Sequence, residues 1–106
     1  MKLPGGRNAV VEIVKLRDYY LDPSHPRGRH KSRIFLAVLG LAQADAEFLR
    51  QEVLRAAREA TAIEGETDEY GQRYIVDFEL TRHDRRAKIR SVWIIRRGQG
   101  VPRLTS

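Results

Sequence analysis

The sequence predicts an α+β fold in which about three N-terminal helices pack on a four-stranded antiparallel sheet formed by the C-terminal half. Two observations carry this. Up to about Thr61 the apolar residues recur at helical spacing, whereas from Tyr74 onward they alternate with polar ones, the period of a half-buried strand. Helices first and a meander second is the order of an α+β chain with its helices on one face of the sheet. At 106 residues the chain has the size of one domain, and residues 1–106 are read as one, without repeat, linker or low-complexity stretch.

Leu16, Tyr19 and Tyr20 stand at i, i+3, i+4 spacing and predict a short helix from about Val14 to Leu21. Asp22-Pro23 breaks it, and Ser24-His25-Pro26-Arg27-Gly28 has the composition of a turn. A second helix is expected to start near Gly28, bury Ile34, Phe35, Val38 and Leu39, and stop at Gly40. A third is expected from about Gln43 to Thr61, with Phe48, Leu49, Val53, Ala56, Ala57 and Ala60 inward. Ala42 offers its start no side-chain acceptor, and Asp45 and Glu47 compensate through the helix dipole.

In the second half, Tyr74, Val76, Phe78 and Leu80 form one face of a strand. His83-Asp84-Arg85 is a polar turn, so the next run should pair back as a hairpin. There Ala87, Ile89, Ser91, Trp93 and Ile95 share one face, and Lys88, Arg90, Val92, Ile94 and Arg96 the other. Gly98-Gln99-Gly100 is a second turn, and Val101 to Thr105 a short last strand. The stretch from Glu64 to Gly71 reads as a loop, with Ala62-Ile63-Glu64 the edge of a first strand.

Composition narrows the function classes. No cysteine is present, which excludes disulfides and thiolate metal sites. The longest apolar runs, such as Ile34 to Leu39, fall far short of the roughly 20 residues of a membrane span. The first residues lack the apolar core of a secretory signal, so the expected compartment is the cytoplasm and no membrane partner is expected. Net charge is +6, distributed as +5 over residues 1–40, −5 over 41–70 and +6 over 71–106. Two basic segments flanking an acidic one are the footprint of a polyanion partner if they meet, and a solvated basic surface if they do not.

The sharpest feature is His25-Pro26-Arg27-Gly28-Arg29-His30-Lys31-Ser32-Arg33. These residues turn into a helix and fill its first turns, where unpaired N–H groups and the dipole favour anions. Four Lys/Arg and two His stand there instead. Such crowding suits a bound phosphate, with Arg27, Arg29, His30 and Lys31 as its ligands. The alternative is that the side chains splay into water or that the acidic residues 64–69 neutralise them. On the sheet, Arg90 either pairs across strands with Asp77 or Glu79, or meets a phosphate with Arg103 and Thr105 in support. Trp93 faces the side of Ile89 and Ile95 and belongs to the core.

His25, His30 and His83 are the histidines. Their near-neutral titration suits RNA cleavage by 2′-OH attack, which needs a base, an acid and cations around the phosphate, and no metal. A lone histidine in a turn is more often a capping or packing residue. His25 and His30 lack an evident third ligand for zinc, so no metal or other cofactor is expected.

The string Lys15-Leu16-Arg17-Asp18-Tyr19, then Leu21-Asp22-Pro23-Ser24-His25-Pro26-Arg27-Gly28-Arg29-His30-Lys31, Phe35 and Leu39-Gly40 resembles a small bacterial domain of unknown function found in polymorphic toxins and phage head-associated proteins. Asp68 to Tyr74, Arg90 to Ile95 and Val101 to Thr105 extend the resemblance to nearly the whole chain. Those domains look like the barnase–EndoU–colicin–RelE group of metal-independent ribonucleases, whose fold places helices before a four-stranded antiparallel sheet.

The resemblance implies a ribonuclease toxin with an acidic antitoxin or immunity protein as partner and RNA as substrate. It assigns His25 and Lys31 to an H-P-x-G-x-x-K motif, Arg90 to the middle strand and Thr105 to the last. His25 would be the acid or base, Lys31 and Arg90 the phosphate cations, and Thr105 an orienting hydroxyl. The competing function is a non-catalytic module that binds nucleic acid or a protein and needs only the basic faces.

Overall fold

The structure is a computed structural model, and it describes residues 1–105; Ser106 lies outside the described residues. Three helices occupy the N-terminal half. Helix α1 runs over Ile13–Lys15 and widens into a π turn over Leu16–Tyr20, in which the Leu21 N–H donates to the Leu16 carbonyl at 2.8 Å. Helix α2 covers Arg29–Ile34 and widens in the same way over Phe35–Leu39. It ends where Gly40 takes the left-handed φ of 69° that glycine tolerates. Helix α3, Ala46–Glu59, is entered through a 3-10 turn at Gln43–Asp45.

Four strands follow: β1 (Ala62–Thr67), β2 (Gly71–Arg82), β3 (Arg85–Arg96) and β4 (Arg103–Leu104), in the order β1-β2-β3-β4. Three helices and a four-stranded antiparallel sheet make the chain α+β, as its patterning predicted. The described chain divides into two compact units. One comprises Met1–Val11, Val53–Phe78 and the residues from Ile89 onward; the other comprises Glu12–Glu52 and Glu79–Lys88. Helix α3 and strands β2 and β3 contribute to both.

In the first unit the alternation of β2 holds: Tyr74, Val76 and Phe78 are buried, as is Trp93 of β3. Trp93 is a core residue. Its indole N–H donates to the Ser91 hydroxyl at 2.9 Å, and that hydroxyl donates to the Val76 carbonyl at 2.8 Å, so the buried polar atoms are satisfied. Ile94 is buried too, so β3 is covered on both faces at that point. The N-terminal residues, given no role by the sequence, flank the sheet. Lys2 bridges Thr61, and Val10 pairs in parallel with Arg103.

Two expectations are corrected here. Glu64–Thr67 is not loop: it completes β1, with Ala62 opposite Val76 and Thr67 opposite Gln72. Its residues are exposed and acidic and carry no burial pattern, which is why the segment reads as a loop. The last strand is only Arg103–Leu104, and Thr105 lies one residue past it.

The second unit buries Leu16, Leu21, Leu39, Leu41, Leu49 and Leu80. The start of α3 is better satisfied than the sequence suggests. The Asp45 carboxylate accepts the Ala42 backbone N–H at 2.9 Å and, through its other oxygen, the Arg82 guanidinium at 2.9 Å. Arg82 also lies 4.2 Å from the centre of the Phe48 ring. Helix α2 departs most from expectation. Ile34 and Val38 are 50% and 44% exposed, whereas Gly28 and Ser32 are buried with Leu39 and Phe35 is half-buried. Its inward stripe is thus 28-32-35-39, begun by small residues.

Candidate nucleic-acid interface

The segment between α1 and α2 is built by its own side chains. Asp22 accepts the Ser24 backbone N–H at 2.9 Å and the Ser24 hydroxyl at 2.7 Å, which starts the turn. These bonds, the Ser24 hydroxyl first, hold the Asp22 carboxyl below the ordinary carboxylate range. His25 continues it. Its Nδ1 accepts the backbone N–H groups of Arg27 and Gly28, each at 3.0 Å. The imidazole therefore holds the turn that leads into α2, and in the neutral ring the proton sits on Nε2.

Gly28 fits because it lacks a side chain. A Cβ there would overlap the carbonyl oxygen of Tyr19, although the backbone itself, at φ −83°, is open to any residue. The start of α2 thus lies directly against the end of α1. This contact brings the tyrosines of α1 into the site. The His25 ring lies 4.3 Å from the Tyr19 ring, Tyr19 packs edge-on to Tyr20 at 4.8 Å, and the Lys31 ammonium stands 4.6 Å over the Tyr20 ring. Burial lowers the pKa of Lys31, since its charge is partly removed from water.

The motif residues His25, Gly28 and Lys31 are therefore joined by one set of contacts, and residues 2–106 match a known family, described as Domain of unknown function (DUF6883). The chain belongs to that family. No curated protein and no solved structure matches it significantly. The DUF6883 description carries no activity, so function has to be read from the geometry.

In this DUF6883 chain the expected phosphate ligands Arg27, Arg29 and His30 are exposed, as is Arg33, and none of them makes an ion pair among the described residues. Within the same unit other arginines do find carboxylates: Arg17 with Asp18, Arg50 with Glu47, Arg82 with Asp45 and Arg86 with Glu79. The difference is compositional. No carboxylate occurs between Pro23 and Ala44, so the cations of this segment have no acid within reach along the chain.

Arg90, Arg103 and Thr105 belong to the other unit. Arg90 is held by Asp77 of the neighbouring strand in a two-point pair, Nε to Oδ1 at 2.9 Å and Nη2 to Oδ2 at 3.0 Å. That hydrogen bond, and the charge behind it, raises the guanidinium pKa further. An anion at Arg90 has to compete with this carboxylate. Thr105 donates its hydroxyl to the Val92 carbonyl at 3.0 Å, while its backbone N–H donates to the same oxygen at 2.8 Å. Arg103 sits in β4 opposite Ile94. His83, the third histidine, occupies the β2–β3 turn at φ 55°. The acidic segment keeps its own partner, since Asp68 pairs with Arg73.

Sequence reasoning missed the tyrosines as site residues and read them only as a helix face. Among the described residues no three His, Asp or Glu gather as a metal-ligating group.

Proposed function

We propose that the chain is an RNA-binding module whose phosphate-gripping surface is the segment from His25 to Arg33. One observation carries this reading: Arg27, Arg29, His30 and Arg33 stand exposed and make no ion pair among the described residues, around a Lys31 that is held on Tyr20. Keeping cations together at a helix start costs folding energy, and a polyanion compensates it. The half-buried Tyr19–His25 ring pair adds aromatic surface of the kind on which unpaired bases stack, which favours single-stranded RNA over duplex. No base-reading pattern accompanies these groups, so the binding follows the backbone and not the sequence.

The test is binding of a single-stranded oligoribonucleotide across a salt series. Each phosphate contact contributes about −0.7 to the log–log slope. A steep slope is the expected result, and a flat one overturns the reading.

A second reading, a metal-independent ribonuclease toxin, has a narrower support. His25 keeps Nε2 for proton transfer, and Lys31 has a lowered pKa that eases giving up its proton. The groups cast with them are engaged, Arg90 by Asp77 and Thr105 by Val92. Cleavage of RNA in the presence of chelator, lost in His25→Asn, is what this reading requires.

A further inference from the structure

Helix α2 leaves three large apolar side chains in water: Ile34, Leu36 and Val38 are 50%, 55% and 44% exposed. A single exposed leucine means nothing by itself; Ile34 and Val38 share one face a turn apart, while Leu36, two residues from each, lies on another. Leu36 is also one wall of an open hollow of about 230 Å³. Its floor is Leu21, Leu41 and Ser32, each at most 5% exposed, and Pro23 and Ala44 stand at its rim. A void of about 150 Å³ already accepts a benzene ring, so this hollow has room for one branched or aromatic side chain.

The charge beside it is of one sign. Arg29, His30 and Arg33 of the same helix are exposed, make no ion pair among the described residues, and have no carboxylate between Pro23 and Ala44 to answer them. An occupant therefore needs an apolar anchor and surrounding negative charge. We infer that the Leu36 side of α2 and the hollow next to it dock an acidic amphipathic segment of a partner protein, with one apolar side chain seated against Leu36. This is helix-in-groove recognition, with anchors at helical spacing and carboxylates facing Arg29 and Arg33.

A second copy of the chain fits poorly, because it brings a like set of cations to the same face. A lipid surface fits poorly as well, because it is flat and leaves the concave hollow unfilled. The inference shares Arg29 and Arg33 with the RNA reading, but it also needs Leu36 and the hollow, which phosphates do not use.

The test uses the full chain and a synthetic peptide of about 15 residues, long enough to form a helix, with leucines along one face and glutamates on the other. A scrambled peptide of identical composition controls for charge alone. Fluorescence anisotropy is expected to show the amphipathic peptide binding at least about ten-fold tighter than the scrambled one. Leu36→Asn, at an exposed position, should remove that margin. Ala44→Phe, which fills the hollow without deleting anything, should remove it too, and RNA affinity should be unchanged in both. Equal binding of the two peptides, no binding of either, or an unchanged margin in both variants overturns the inference. So does dimerisation through Leu36, or a preference for vesicles of anionic phospholipid that Leu36→Asn abolishes.

Discussion

The Nδ1 of His25 accepts the backbone N–H of Gly28 at 3.0 Å, so the histidine that the sequence singles out for chemistry also holds the turn from which α2 starts. The two roles separate by substitution. His25→Ala removes the acceptor and should cost about 1 kcal/mol, the usual worth of an intramolecular hydrogen bond. For a domain of this size that is a fall of roughly 4–8 °C in Tm. His25→Asn supplies another acceptor and should recover most of the loss while offering no acid or base. A thermal melt of the two variants checks this, and equal destabilisation by both would contradict the role of Nδ1 as the acceptor that holds this turn.

Gly28 makes the complementary prediction. At φ −83° an alanine is conformationally acceptable, and by itself would stabilise by about 0.4–1 kcal/mol through the unfolded chain. The overlap with the Tyr19 carbonyl reverses this. Gly28→Ala should destabilise by roughly 1–3 kcal/mol, the cost of overpacking, as read from urea unfolding. A neutral or stabilising result would mean that α1 and α2 are not in close contact at this point.

Much of this architecture is legible in the sequence, and the limits are physical. Tyr74, Val76, Phe78 and Leu80 declare β2 because one face is buried and the other wet. Glu64–Thr67 could not declare β1, since every residue there is exposed and alternation requires a buried face. The stripe of α2 was misread because hydrophobicity points to Ile34 and Val38, while the space available against Tyr19 admits only Gly28. The basic run of the candidate site was visible. Which nitrogen of His25 is occupied, and that Asp77 holds Arg90, depend on neighbours brought close by folding.

Lys31 gives a pH-dependent prediction. Burial sets its folded-state pKa below the ordinary 10.5, so its charge opposes folding wherever the ammonium form dominates. The unfolded chain binds more protons between the lowered value and 10.5, and stability from this group rises with pH across that window. Lys31→Met should therefore remove that alkaline rise, leaving a Tm that depends less on pH in this range than the wild type's. The same variant should bind RNA more weakly. An alkaline rise as large in the variant as in the wild type would contradict the desolvation of this lysine.

Arg90 tests which surface does the gripping. Its guanidinium is bound at both ends of the Asp77 carboxylate, so Arg90→Ala should change RNA affinity less than about two-fold. A large loss in Arg90→Ala would move the site to the sheet.

The most direct measurement is the salt dependence of RNA binding in the triple variant Arg27→Ala, Arg29→Ala, Arg33→Ala. All three side chains are exposed, so the fold should be unaffected. If they grip phosphates, affinity should fall and the log–log slope should become shallower by about 2, from about 0.7 for each lost contact. An unchanged slope with unchanged affinity would show that this segment is not where RNA binds.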